Sequence, residues 1–182
     1  DVERSRGLGD VYKRQVYNLK QMAAALQYLK EHQLFEYDDL ATKTDAATER
    51  FHTLAGDIQQ TEAELSRVSD LMAAVVQYAK TRPAFDGYKA AKYSRKYLAE
   101  HEAELADYRA AKATMAELLG GEKLPKMDVL KEKRRQLAAR KKALYLEYRK
   151  AQQDMRELVA VKGSVDHLHG LTDNQRNKEQ AR

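Results

Sequence analysis

The sequence predicts an all-α protein, an elongated antiparallel helical hairpin or coiled coil with additional shorter helices. Three observations carry that expectation. The 182 residues include only 2 Pro and 8 Gly, where average usage would give about nine and about thirteen. Ala, Leu, Glu, Lys, Arg and Gln, which lose little on entering a helix, are abundant. One stretch also repeats its apolar residues every 3.5 positions, a period that gathers them into a single seam and demands a partner helix.

Composition also removes classes of function. With 0 Cys, disulfides, cysteine zinc sites and thiol nucleophiles are excluded. Charged residues make up 34% of the chain, and no window approaches the roughly 18 apolar residues of a membrane span. No signal-peptide core is present, so a cytoplasmic location with no membrane partner is expected.

Taken in order, residues 1–15 (DVERSRGLGDVYKRQ) mix charges with two glycines and have no period. They are expected to be disordered. Their end, from Asp10 to Gln15, resembles a peptide translated from sequencing adapter in metagenomic contigs. On that reading it is foreign, and the natural protein continues upstream. Residues 16–35 read as an N-terminal helix. Leu19, Met22, Ala23, Leu26 and Leu29 form its stripe, with Asn18 as N-cap.

Residues 36–168 read as the coiled-coil region. Alternating steps of four and three fall on Leu40, Thr44, Ala47, Phe51, Leu54, Ile58, Thr61, Leu65, Val68, Met72, Val75 and Ala79. Ten of these twelve are apolar, against about five expected from a 43% apolar background. The helix is expected over 37–82, about 46 residues and roughly 70 Å at 1.5 Å per residue. Pro83 is expected to stop it. A short helix over 84–91 is expected next, then a third long helix capped by Ser94. That helix carries Leu98, His101, Leu105, Tyr108, Lys112, Met115 and Leu119 and is ended by Gly120-Gly121.

The last helix is expected over 127–168. Its seam is Leu130, Leu137, Leu144, Tyr148, Ala151, Met155, Leu158 and Val165, interrupted by Arg134, Lys141 and Lys162. Residues 169–182 read as a polar flexible tail. Residues 36–82 hold nine acidic and five basic residues, and residues 126–162 hold twelve basic and five acidic. Phe51, Leu54, Ile58 and Leu65 should therefore be buried against 137–158 in antiparallel register, with complementary charge selecting the partners.

Two segments carry candidate binding residues. KEKRRQLAARKK contains Lys131, Lys133, Arg134, Arg135, Arg140, Lys141 and Lys142. Such a helix can follow a phosphate backbone, although it also suits a solvated coiled-coil flank partly neutralised by the acidic helix, whose Glu62, Glu64 and Asp70 would cancel its field if they lie beside it. YKAAKYSRKY interleaves three tyrosines with Lys89, Lys92, Arg95 and Lys96, a pattern able to stack bases and hold phosphates, or to pack on a neighbouring helix. His167 and His169 point apart at i, i+2, so no metal site is expected. No nucleotide-binding, metalloprotease or hydrolase motif occurs, and neither a cofactor nor catalysis is expected of this chain.

The runs NLKQMAAALQYLKEHQL, VVQYAKTRPAFDGYKAAKYSRKYLAEHEAEL, LPKMDVLKEK and VDHLHGLTDNQRNKEQ together resemble a known family. They are similar to the C-terminal helical region of relaxase/mobilisation proteins from conjugative elements of Firmicutes such as clostridia. The resemblance covers residues 16–182 and rests on extended similarity rather than a catalytic signature. In that family an N-terminal nuclease domain, with a tyrosine nucleophile and a histidine-held metal, nicks DNA at the transfer origin. No position here matches that motif. The resemblance implies a non-catalytic accessory region that assists DNA contact or relaxosome assembly, with partners among DNA phosphates and transfer-machinery proteins. The alternative is a structural coiled-coil module for protein–protein interaction or self-association, with no DNA role.

Overall fold

A computed structural model of the chain describes residues 2–180, with side chains described for 10–170 and 173–180. Among the described residues there are five helices and no strand. They are α1 (Val2–Glu31), α2 (Tyr37–Ala90), α3 (Arg95–Glu100), α4 (Glu102–Leu119) and α5 (Met127–Gln180). The all-α class and the long helix pair with shorter companions are as expected. The chain divides into two compact units, Asp1–Ala55 with Leu146–Arg182, and Gly56–Tyr145.

In the first unit, α1, the start of α2 and the C-terminal part of α5 enclose one core. Ala25, Leu34, Leu40, Leu158 and Val161 are buried together, with Tyr28, Leu29, Ala47 and Val165 against them. Tyr37 meets Asp166 and Phe51 stacks on Tyr148 with ring centroids 4.9 Å apart, so α2 and α5 run antiparallel here.

In the second unit Val68, Leu71, Met72, Leu130 and Leu137 form the core, with Leu65, Val75, Met115, Leu118, Leu119 and Met127 around it. Glu62 meets Lys141 and Tyr145, which again gives antiparallel pairing. Toward the end of α2 the partner becomes α4, and Tyr78 and Phe85 both stack on the buried Tyr108 at 5.1 and 4.4 Å. The inward face moves accordingly from Val75 to Ala74, Thr81 and Ala84, and leaves the last expected seam residue, Ala79, exposed.

The other eleven seam positions of α2 are buried or half-buried, including Leu54 and Ile58. Two are threonines, and both resolve their polarity locally. Thr44 donates to the Leu40 carbonyl at 2.7 Å, and Thr61 to the Asp57 carbonyl at 2.8 Å. A hydroxyl bonded to the preceding turn is satisfied without a partner across the seam.

Several boundaries and one face differ from expectation. Helix α1 begins at Val2, so the segment through Gln15 expected to be disordered is helical, and Asn18 lies inside the helix rather than capping it. Once a packed nucleus exists, each added residue gains a backbone hydrogen bond, and a helix runs on past its buried part. The tail behaves alike: α5 continues to Gln180, although residues 173–180 are all exposed.

The stripe of α1 is also displaced. Ala25, Tyr28, Leu29 and Met22 face inward, whereas Leu19, Ala23 and Leu26 are exposed. Apolar residues cover most of that helix's circumference, so their period does not select a face.

Pro83 does not stop α2, which continues to Ala90 and absorbs the short helix expected over 84–91. An interior proline costs about 3 kcal/mol or more through its lost amide and steric clash. Contacts beyond it offset this: Ala84 is buried, Phe85 stacks on Tyr108, and Tyr97 donates to the Ala84 carbonyl at 3.0 Å. Ser94 does cap the next helix, accepting from the Tyr97 amide. That expected long helix is interrupted at His101 into α3 and α4, and Gly120 closes α4 in the left-handed region at φ 57°. On α4, Ala111 takes the buried place expected for Lys112.

Candidate nucleic-acid interface

Both candidate segments belong to the second unit. This unit holds 18 Lys and Arg against 13 Asp and Glu, net +5, which is the whole excess of the chain. The first unit holds 15 of each and is neutral. A single-sign excess concentrated on one unit raises the local potential toward polyanions.

Leu130 and Leu137 anchor the basic segment of α5 to α2. Lys131, Arg135 and Lys142 follow the outer helix face by their spacing, while Lys133 and Arg140 lie along one flank of the seam. Arg134 and Lys141 lie along the other. Six of the seven are exposed and Lys141 is half-buried. Of the three cations expected to interrupt the seam, the two in this segment behave differently: Arg134 stays in solvent and Lys141 is drawn into the α2–α5 contact.

Acidic neighbours neutralise two of the seven. Lys141 lies 3.0 Å from Glu62 Oε1, which also accepts from the Tyr145 hydroxyl at 2.9 Å. The bond from Lys141, followed by that from Tyr145, holds the Glu62 carboxyl below its ordinary range. Arg135 makes a forked contact to Glu132 through Nε at 2.9 Å and Nη2 at 2.8 Å. That fork, followed by the bond from the Gln136 amide, lowers Glu132 likewise, and the fork raises Arg135. Lys131, Lys133, Arg134, Arg140 and Lys142 form no ion pair with another described residue. Five cations therefore remain able to meet phosphates.

The Tyr88–Tyr97 segment forms the corner between α2 and α3. Lys92 and Tyr93 occupy successive left-handed positions, φ 52° and 62°. The Tyr93 amide donates to the Tyr88 carbonyl at 3.0 Å and closes α2 without a glycine. Tyr97 packs inward against Gly87 and stacks on His101 at 4.2 Å, as the packing interpretation expects. Tyr93 instead remains 57% exposed with its edge on Tyr88. Lys89, Lys92, Arg95 and Lys96 are exposed around it, with Lys89 Nζ 5.7 Å from the Phe85 ring centre.

The two basic segments are not brought together. Leu130 packs beside Met72, and Lys89 lies 17 residues further along α2, about 25 Å at 1.5 Å per residue.

Among the described residues no group of three or more His, Cys, Asp or Glu is placed to hold a metal ion. His167 is exposed and His169 sits 5.4 Å from the Tyr37 ring. No described helix is long and apolar enough to cross a membrane. No family model, curated protein or solved structure matches this chain.

Sequence reasoning offered Glu62, with Glu64 and Asp70, as an acidic neighbour of the basic stripe, but missed the knot that it forms with Lys141 and Tyr145. Its only signal was an acidic residue beside the α2 seam and a Lys–Tyr pair four residues apart on the opposing helix. It also missed Arg67, whose Nη2 donates to the Leu118 carbonyl at 2.5 Å and satisfies the open end of α4.

Proposed function

We propose that this chain is the non-catalytic accessory region of a conjugative relaxase, working in the cytoplasm and holding DNA through phosphate contacts while relaxosome proteins assemble. The observation that carries the DNA part is the set of five exposed, unneutralised cations on one helix of the unit that holds the whole charge excess. The relaxase part rests on the extended resemblance of residues 16–182.

The α5 stripe supplies charge without any group positioned to read base edges. Binding is therefore expected to be weak and sequence-tolerant, because phosphate contacts position a protein but specify nothing. The corner at Lys89, Lys92, Arg95 and Lys96 would add a second contact on the same unit.

The test measures affinity of the intact chain for a mixed-sequence oligonucleotide across salt concentrations. Five phosphate contacts give a log–log slope near about −4.5 for duplex or about −3.5 for single strands. Replacing Lys131, Lys133, Arg134, Arg140 and Lys142 by Gln should flatten that slope and leave helicity unchanged, since Gln is also a good helix former. Undetectable or salt-independent binding at low salt, with the fold intact, would sink the DNA reading.

A second reading, a coiled-coil module for protein partners or self-association, is favoured by one observation. Glu62 and Glu132 each pin a cation of the stripe, as a purely structural helix flank would. Sedimentation of the intact chain distinguishes it: a stable oligomer that ignores DNA supports this reading.

A further inference from the structure

Between α1 and α5 the first unit holds a cavity of about 420 Å³. Nothing in the DNA reading uses it. Pockets for small molecules span roughly 300–1,000 Å³, so this one suits a single side-chain-sized group. Ala24, Ala25, Ala160 and Val161 give it an apolar lining.

One wall is aromatic. The Tyr28 and His32 rings stack with centroids 3.9 Å apart and planes 18° apart. His32 Nδ1 lies 3.0 Å from the Tyr28 carbonyl, which holds the imidazole in that pose.

The charged lining is of one sign. Glu31 comes from α1 and Glu157 from α5, and neither is paired with a cation among the described residues. Among the described residues each accepts from a glutamine, Gln27 at 2.8 Å and Gln153 at 3.4 Å respectively. The field of Glu157 reaches the aromatic wall: burial first, then Glu157 and Asp154, push the Tyr28 hydroxyl above its ordinary value.

A hard metal ion is a poor match, because it requires six or more oxygen donors and this lining is half alanine, valine and ring carbon. An organic cation fits each part. Its alkyl stem covers apolar surface while its head stays charged. A planar guanidinium also stacks on aromatic faces and takes carboxylates in fixed geometry.

We propose that the α1–α5 cavity binds an alkylguanidinium or alkylammonium group, its stem on the alanine lining and its cation between Glu31 and Glu157 beside the stacked Tyr28 and His32. The same chemistry could arrive as a free amine or as an arginine or lysine side chain of another protein.

Calorimetric titration of the intact chain with arginine, spermidine and the peptide acetyl-Ala-Arg-Ala-amide separates these sources. Citrulline, neutral and nearly isosteric with arginine, is the control. Arginine should bind at least about tenfold more tightly than citrulline, and Glu31→Gln with Glu157→Gln should remove that margin while the helical spectrum stays intact. Tighter binding of the peptide assigns the site to a protein side chain, and tighter binding of spermidine assigns it to a free polyamine. The proposal is overturned by equal affinity for arginine and citrulline, by affinity that survives both substitutions, or by no binding of any probe at about 10 mM. None of these results bears on α5, so DNA binding stands or falls separately.

Discussion

A Cβ on Gly87 would run into the hydroxyl and ring of Tyr97. Gly87→Ala should therefore cost about 1–3 kcal/mol through overpacking. In a Tyr97→Phe background the nearest clashing atom is gone. The second substitution should then cost less than it does alone, a non-additivity that urea unfolding of the four proteins can measure. Thr61 offers the opposite case. Its hydroxyl is buried and bonded only within its own turn, and a valine of the same shape discards the need to bury it. Thr61→Val should be neutral or slightly stabilising by the same measurement; a loss above about 1 kcal/mol would show that the hydroxyl has another role. Asp166 provides a pH signature. It accepts from the Tyr37 hydroxyl at 2.6 Å and from Lys162 Nζ at 2.9 Å, and these two bonds, in that order, lower its pKa. A lowered carboxylate contributes stability above its unfolded value, near about 3.9, and loses it as pH falls through the folded value. The denaturation midpoints of wild type and Asp166→Asn should therefore converge below about pH 4. A gap that stays constant down to the acid limit would refute the assignment.

At the scale of the element, the α2 seam tests the pairing. Ile58 is 5% exposed, so Ile58→Asp would bury an unpaired carboxylate and should lower stability by more than about 3 kcal/mol, read by chemical denaturation. Exposed substitutions such as Gln59→Asp should stay within about 0.5 kcal/mol. This seam was legible in the sequence because twelve positions in successive four-three steps leave little freedom of face, and the pattern of α5 was legible for the same reason. The helix ends were not. The expected stop at Pro83 weighed one lost amide and missed the stacking of Phe85 and the seating of Tyr97 on Gly87, contacts made at a distance in the chain. The true end of α2 carries no glycine, since Lys92 and Tyr93 take the left-handed positions themselves at about 1–2 kcal/mol each. The face of α1 was illegible for a different reason: in MAAALQYL nearly every direction is apolar, and the fit of Ala25 beside Tyr28 decides which one turns inward.

For the whole molecule, charge is distributed less evenly than the total of +5 suggests, with all of the excess on Gly56–Tyr145. The candidate interface was legible as a basic run but not as a count of available cations, because Glu62 lies some eighty residues away from Lys141 in the chain. Glu62→Gln tests that count directly. Releasing Lys141 should tighten duplex binding and steepen the log–log salt slope by about 0.9, one further phosphate contact. An unchanged slope would mean that Lys141 stays sequestered by its packing beside Tyr145. The inward-turned threonines have a consequence of another kind. Because Thr44 and Thr61 spend their hydroxyls on their own helix, they place no polar rung across the seam, and apolar rungs alone tolerate sliding by one heptad, about 10.5 Å. Such a slide is opposed in the first unit by the Phe51–Tyr148 stack and the Tyr37–Asp166 bond, and in the second by Glu62 gripping Lys141 and Tyr145. These few contacts act as detents on an otherwise smooth track, and removing them would leave a pair of helices that still adhere but no longer keep their place.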